Sequence, residues 1–125
     1  MAITQFDNTY FTYKVTVDTD LGSVTSQNIT NGPATLYSLL VDNTANNSAV
    51  SYLKIYDSLP DGGVVVASTE PDYIFPIDAD EKRLITFPGG ATISNGLSLR
   101  CITSAQTDQT TDPSSNVEVI VVYKT

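Results

Sequence analysis

Apolar side chains recur at every second position over most of this chain, and that rhythm restricts the fold more than any other feature. Successive side chains of a strand point to opposite faces, so alternation marks a strand with one face in and one face out. Between Tyr10 and Val17 the odd positions hold Phe11, Tyr13, Val15 and Val17, with Thr12, Lys14 and Thr16 between them. In GLSLRCIT, Leu97, Leu99 and Cys101 alternate with Ser98 and Arg100. At the C-terminus Val117, Val119, Val121 and Tyr123 share one side.

Further strands follow from the same pattern. ATLYSLLVDN, from Ala34, is apolar on both faces, with Leu36 and Leu40 on one and Tyr37, Leu39 and Val41 on the other, which predicts a central strand. VSYLKIYD is expected to turn Leu53 and Ile55 inward and Tyr52, Lys54 and Tyr56 outward. Shorter candidates are VVVAS near Val64, YIFPI near Phe75 and RLITFP near Ile85, with one more within residues 21–30. Asn31-Gly32-Pro33, Pro60-Asp61-Gly62-Gly63, Pro88-Gly89-Gly90 and Asn95-Gly96 supply turns, because Gly and Asn tolerate positive φ and Pro presets φ. AQTDQTTDPSSN reads as a polar loop before the last strand. DADEKR is the one helix-friendly run and is too short to be more than a turn.

Seven to nine short strands with frequent turns predict an all-β fold: a single antiparallel β-sandwich, jelly-roll-like. The expected organisation is an N-terminal arm over residues 1–9 and a sandwich over residues 10–125. Two strands also carry apolar residues on the face opposite their main set, Ile120 and Val122 in the last strand and Ile102 in the Leu97 strand. The plainer reading is burial on both faces. The sharper one is a partly apolar outer face covered by a partner subunit.

The chemistry available is limited. The 125 residues include no histidine and a single cysteine, which removes Ser-His-Asp and Cys-His constellations and Cys₂His₂-type zinc sites. No phosphate-binding or dinucleotide-binding glycine pattern is present. The aspartates fall in turns and strand ends, where side-chain bonds to the local backbone explain them. Asp18-Thr-Asp20 and Asp78-Ala-Asp80-Glu81 offer oxygen ligands but match no EF-hand loop, and solvated acidic turns are the simpler account. Cys101 shares a face with Leu97 and Leu99 and is expected to be a buried small hydrophobe. Asn28-Ile-Thr30 and Asn46-Asn-Ser48 fit the glycosylation sequon, but no secretory signal is recognised at the N-terminus. No catalytic residue, cofactor or metal is therefore expected, and the chain is not expected to be an enzyme.

Fourteen acidic residues against six basic ones give a net charge of −8. Phosphate backbones require Lys and Arg to replace counterions, so neither nucleic acid nor an anionic membrane is an expected partner. No run approaches the ~20 apolar residues of a membrane helix. Apolar residues at 41% and charged residues at 16% argue for a folded chain with a Ser-, Thr-, Asn- and Tyr-rich surface. Tyr52 and Tyr56, with Tyr37 or Tyr73, are candidates for an aromatic platform, which sugars and partner proteins both favour. Ordinary β-propensity explains the same tyrosines.

The run LYSLLVDNTANNSAVSYLKIYDSL, followed by IFPIDADEKRLITFPGGATISNGLSL, resembles small β-rich virion proteins of tailed bacteriophages. In that group a strand ending in VDNT leads through a small-residue loop to YLKIYD, and a later GLSL segment feeds a Thr-rich loop and a Val-rich final strand. The likeness covers about Ala34 to Tyr123 and rests on packing and turn features, so no functional residue is carried over. The acidic DADEKR stands where a Gly- and Ala-rich turn is expected. The resemblance implies a capsid cement (decoration) protein made in the host cytoplasm. Such a protein would be a homo-oligomer, a trimer first, seated on the major capsid protein at the outer face of the virion. Under that reading the arm, with Ile3, Phe6 and Tyr10, adds a strand to a neighbour's sheet or folds on its own body. A phage tail, fibre or baseplate component and a carbohydrate-binding module are the alternatives.

Overall fold

The computed structural model describes residues 3–7, 13–22, 27–59, 64, 65 and 67–125. Among them are nine strands and no helix: β1 (Ile3–Asp7), β2 (Lys14–Leu21), β3 (Gln27–Asn28), β4 (Ala34–Asp42), β5 (Ser51–Asp57), β6 (Tyr73–Ile77), β7 (Lys82–Ile93), β8 (Leu97–Ile102) and β9 (Val117–Lys124). A five-stranded sheet runs β1-β2-β9-β4-β7, and a four-stranded sheet runs β3-β8-β5-β6. Every pairing is antiparallel.

The pairings nest. β5 pairs with β6, β4 with β7, β3 with β8 and β2 with β9, as in one long double ribbon. Rolling that ribbon brings β9 beside β4 and β8 beside β5, which closes two four-stranded layers into a jelly roll. β1 extends the first layer at its edge.

Apolar residues of both inner faces fill the space between the layers. Leu36, Leu39, Val41, Val119 and Val121 from the five-stranded sheet meet Leu53, Ile55, Leu97, Leu99 and Cys101 from the other, all with no solvent exposure. Fully burying each such Leu, Ile or Val side chain contributes about 1.5–3 kcal/mol. Where the sheet edges of β6 and β7 approach each other, Tyr73, Phe75 and Phe87 pack ring to ring at centroid distances of 5.6–6.4 Å. Phe75 and Phe87 also lie against the core and close that side.

Three local expectations are corrected. An amphipathic strand ordinarily turns its apolar set inward, yet β2 points Thr16 and Asp18 to the interior and leaves Val15 and Val17 half-buried outside. The register with β9 forces this, because Val15 and Val17 sit opposite Val122 and Ile120 while Thr16 sits opposite Val121. In β4 the register shifts between Leu36 and Ser38, so Leu36, Leu39 and Val41 share the core face and Leu40 faces out with Ser38. Among the described residues near Val64 there is no strand: Val65 O accepts from the backbone N–H of both Ser68 and Thr69 in a turn where Ala67 takes a φ of 68°.

The VDNT segment holds the two layers together at one end. Asn43 is fully buried, and its Nδ2 donates to the carbonyls of Ala49, Ile77 and Asp78 at 3.0–3.2 Å. Its Oδ1 accepts from Ser51 Oγ and Asn46 Nδ2. Asn46 then bonds both backbone groups of Ser115, fixing the entry to β9. Asn46 is thus a buried structural amide, and a glycan there would destroy the network. At the opposite end Asp57 accepts from the backbone N–H groups of Ser94, Asn95 and Gly96 at 2.8–3.4 Å, capping the β7–β8 turn. Burial opposes ionisation of that carboxyl, but the three N–H bonds hold it below the ordinary carboxylate range.

Candidate interaction surfaces

One face of each sheet is committed to the core, which leaves two outer faces. The two differ in kind. On the five-stranded sheet, register places Val17, Ile120, Leu40 and Leu84 side by side across β2, β9, β4 and β7. A second row sets Val15 beside Val122 and Ser38. Val15, Val17, Leu40, Ile120 and Val122 are half-buried, and Leu84 is 63% exposed. Phe6 and Thr4 of β1 occupy the register positions opposite Val15 and Val17.

The apolar rows end in polar and aromatic borders. On one side Asp42 lies between Glu118 and Lys82, with Lys82 Nζ 3.7 Å from the Asp42 carboxylate. On the other, Tyr13 meets Tyr37 edge to face at 5.0 Å. Tyr37 packs across Gly90, where an added Cβ would come within 3.2 Å of the ring and 2.3 Å of the Thr35 methyl. Gly90 also has a φ of 87°, so this close approach and this backbone both require glycine.

The four-stranded sheet is the reverse. On its outer face Lys54, Tyr56, Ser98, Arg100 and Ile102 are buried, Tyr52 is half-buried, and only toward the edge strand β6 does an apolar residue, Ile74, open to solvent at 39%. The segment between β8 and β9, residues 103–116, folds back over this face. Gln106 O accepts a 2.7 Å bond from Lys54 Nζ, and Thr103 N and Oγ1 donate to Thr111 O. Arg100 Nη1 donates to Tyr56 Oη at 3.2 Å. Burial, reinforced by the nearby Arg100 charge, lowers the Lys54 pKa, while the Asp108 carboxylate works in the opposite direction. Burial raises the Tyr56 pKa, although Arg100 partly offsets it.

The candidates named from sequence therefore separate. Ile120 and Val122 lie together on the apolar face, as the partner-covered reading expects, whereas Ile102 is buried on both sides of its strand. Tyr56 is 1% exposed and Tyr52 half-buried, so the pair forms no open platform. Ile3 is 38% exposed on β1. β1 pairs with β2 of its own chain, which places residues 3–7 of the arm on its own body instead of in a neighbour's sheet. Tyr10 lies outside the described residues. Arg100 and Lys54 were missed as a feature. The available signal was Ile102 on the same face as Arg100, an apolar residue that needed a cover.

Burial pushes the Cys101 thiol up to about 12 despite a bond from Ser51, so a thiolate is absent at neutral pH. Among the described residues no three His, Cys, Asp or Glu groups are placed to hold a metal. Asp18 Oδ1 accepts from Asp20 N, and Glu81 pairs with Arg83 at 3.0 Å. An open depression of about 350 Å³ is lined by Pro33, Thr35, Tyr37, Thr92 and Lys124 and holds no cluster of acids. Among the described residues no helix is long and apolar enough to cross a membrane. No protein-family model matches the chain, and no curated protein matches it.

Proposed function

We propose that this chain is a structural binding protein that seats the outer face of its five-stranded sheet on another protein, and that it serves as a capsid cement protein. In this reading a homotrimer decorates the outer surface of a phage head, each copy contacting the major capsid protein where capsomers meet. The observation that carries it is the paired apolar rows Val17–Ile120–Leu40–Leu84 and Val15–Val122 on an outer sheet face, bordered by Tyr13 and Tyr37. Contiguous outward apolar area with aromatic residues beside it is what protein interfaces use and what solvated faces avoid.

Three further points support the reading. The net charge of −8 suits the solvent side of a shell and opposes contact with packaged nucleic acid. Jelly rolls recur in viral capsid proteins, and also in lectins, so the fold alone does not choose between them. The VDNT and YLKIYD motifs of the virion resemblance build the Asn43 network and β5, the parts that fix the sandwich.

The test mixes the purified protein with emptied phage heads stripped of decoration and sediments the shells. Saturable co-sedimentation and a higher temperature of shell disruption are the expected results. Folded protein that stays in the supernatant at every concentration retires the cement reading, and binding to tails alone transfers it to the tail apparatus.

A further inference from the structure

Of the six cationic side chains in this chain, two are withdrawn from solvent: Lys54 at 0% and Arg100 at 1% exposure. They sit directly opposite each other across β5 and β8, so two positive charges share one face of one strand pair. Among the described residues neither forms an ion pair, as Lys82 and Arg83 do, although the Asp108 carboxylate lies near enough to Lys54 to act on its charge. A guanidinium keeps its charge at any pH a protein experiences, and a buried charge without a counter-charge costs several kcal/mol.

The hydrogen-bond inventory sharpens this. Nη1 of Arg100 is used by Tyr56, while Nε and Nη2 are buried and have no acceptor among the described residues. Those two nitrogens form the side edge of the guanidinium, whose parallel N–H groups match two oxygens of one carboxylate, phosphate or sulfate. Lys54 has three donors and spends one on Gln106 O. Donors, charge and geometry are all supplied, and the acceptor is missing.

We infer that Arg100 and Lys54 hold a small oxyanion beneath the 103–116 segment, bound side-on by Arg100 Nε and Nη2 with Lys54 as the second cation. Their near-complete burial limits the occupant to an ion small enough to lie under one layer of chain. Inorganic phosphate and sulfate fit that size, as does a free carboxylate such as acetate. The ion neutralises the pair and ties the covering segment to β5 and β8. This site lies on the opposite side of the sandwich from the proposed shell contact and does not depend on it.

The chain has two arginines, Arg83 and Arg100, so ¹⁵N-labelled protein gives two side-chain Nε–H signals, assigned with Arg83→Gln. Protein dialysed into sodium chloride is titrated at constant ionic strength with sodium phosphate, sulfate or acetate. The expected result is a saturable shift of the Arg100 signal with at least one oxyanion, no saturable shift of Arg83, and a melting temperature that rises in step. Lys54→Met is expected to weaken that binding about tenfold. If that variant fails to fold, the wild-type titration still decides: an Arg100 signal unmoved by all three oxyanions, or drifting linearly as Arg83 does, overturns the site.

Discussion

The five-stranded sheet turns valine, isoleucine and leucine toward the outside, whereas the four-stranded sheet buries a lysine, a tyrosine and an arginine on its outer face. Polarity alone predicts the opposite. The deciding factor is connectivity. The 103–116 segment must travel from β8 in one layer to β9 in the other, and it lies across the four-stranded sheet on the way. The Asn46–Ser115 bonds fix its far end, and Gln106 O holds the Lys54 ammonium beneath it. The five-stranded sheet has its apolar outer rows instead, which the proposed function assigns to a partner.

That contrast is broken or sharpened most strongly by placing one charge on each face. Ile102→Asp puts a carboxylate at a position with no solvent exposure and is expected to cost about 4 kcal/mol or more, a large part of a domain's stability. Ile120→Asp, on the half-buried face, is expected to cost about 1 kcal/mol while abolishing shell binding. Urea unfolding followed by tyrosine fluorescence, available because the chain has seven Tyr and no Trp, gives both values. Equal costs would erase the distinction between the faces.

Asn46→Ala removes both side-chain bonds to Ser115 and should cost about 1–3 kcal/mol. Its sharper signature is local. With the covering segment released at one end, Lys54 becomes accessible to an amine-reactive reagent, which mass spectrometry of the labelled peptide detects. Wild-type Lys54 should stay unlabelled under the same conditions.

Asp18 tests the inward side of β2. Its Oδ1 accepts from Asp20 N, and its buried Oδ2 has no partner among the described residues. Burial raises its pKa, and the Asp20 bond only partly opposes that. The folded state therefore holds the proton more tightly than the unfolded one. The stability this carboxyl contributes is full below its unfolded pKa and is lost as pH rises through the folded pKa. Asp18→Asn does not titrate, so it should stabilise the protein by about 1 kcal/mol at neutral pH. The gain should vanish as pH falls through the ordinary carboxylate range. The smallest effect belongs to Leu84→Lys: at 63% exposure it should change stability by no more than about 0.5 kcal/mol while weakening shell binding.

How much of this was legible in the sequence follows from what each signal depends on. Period-two alternation is local, so the all-β class, the central place of β4 and the inward set of β8 and β9 could be read directly. The sense of β2 could not, since its apolar residues face outward only because of its register with β9. Nor could the phase of β4, where one irregularity after Leu36 moves Leu39 to the core and Leu40 out of it. The cover over Lys54 depends on where a polar loop lands, and no residue within β5 or β8 encodes that path. Ile120 and Val122 stood out because they broke the alternation, and they mark the surface on which the functional reading rests.

An image of decorated heads at a resolution that separates strands bears most directly on that reading. The expected view has the five-stranded sheet against the shell, with Val17, Ile120 and Leu84 in the contact and the 103–116 segment facing solvent. Density placing the four-stranded sheet on the shell, or the protein elsewhere than on the head, would contradict it.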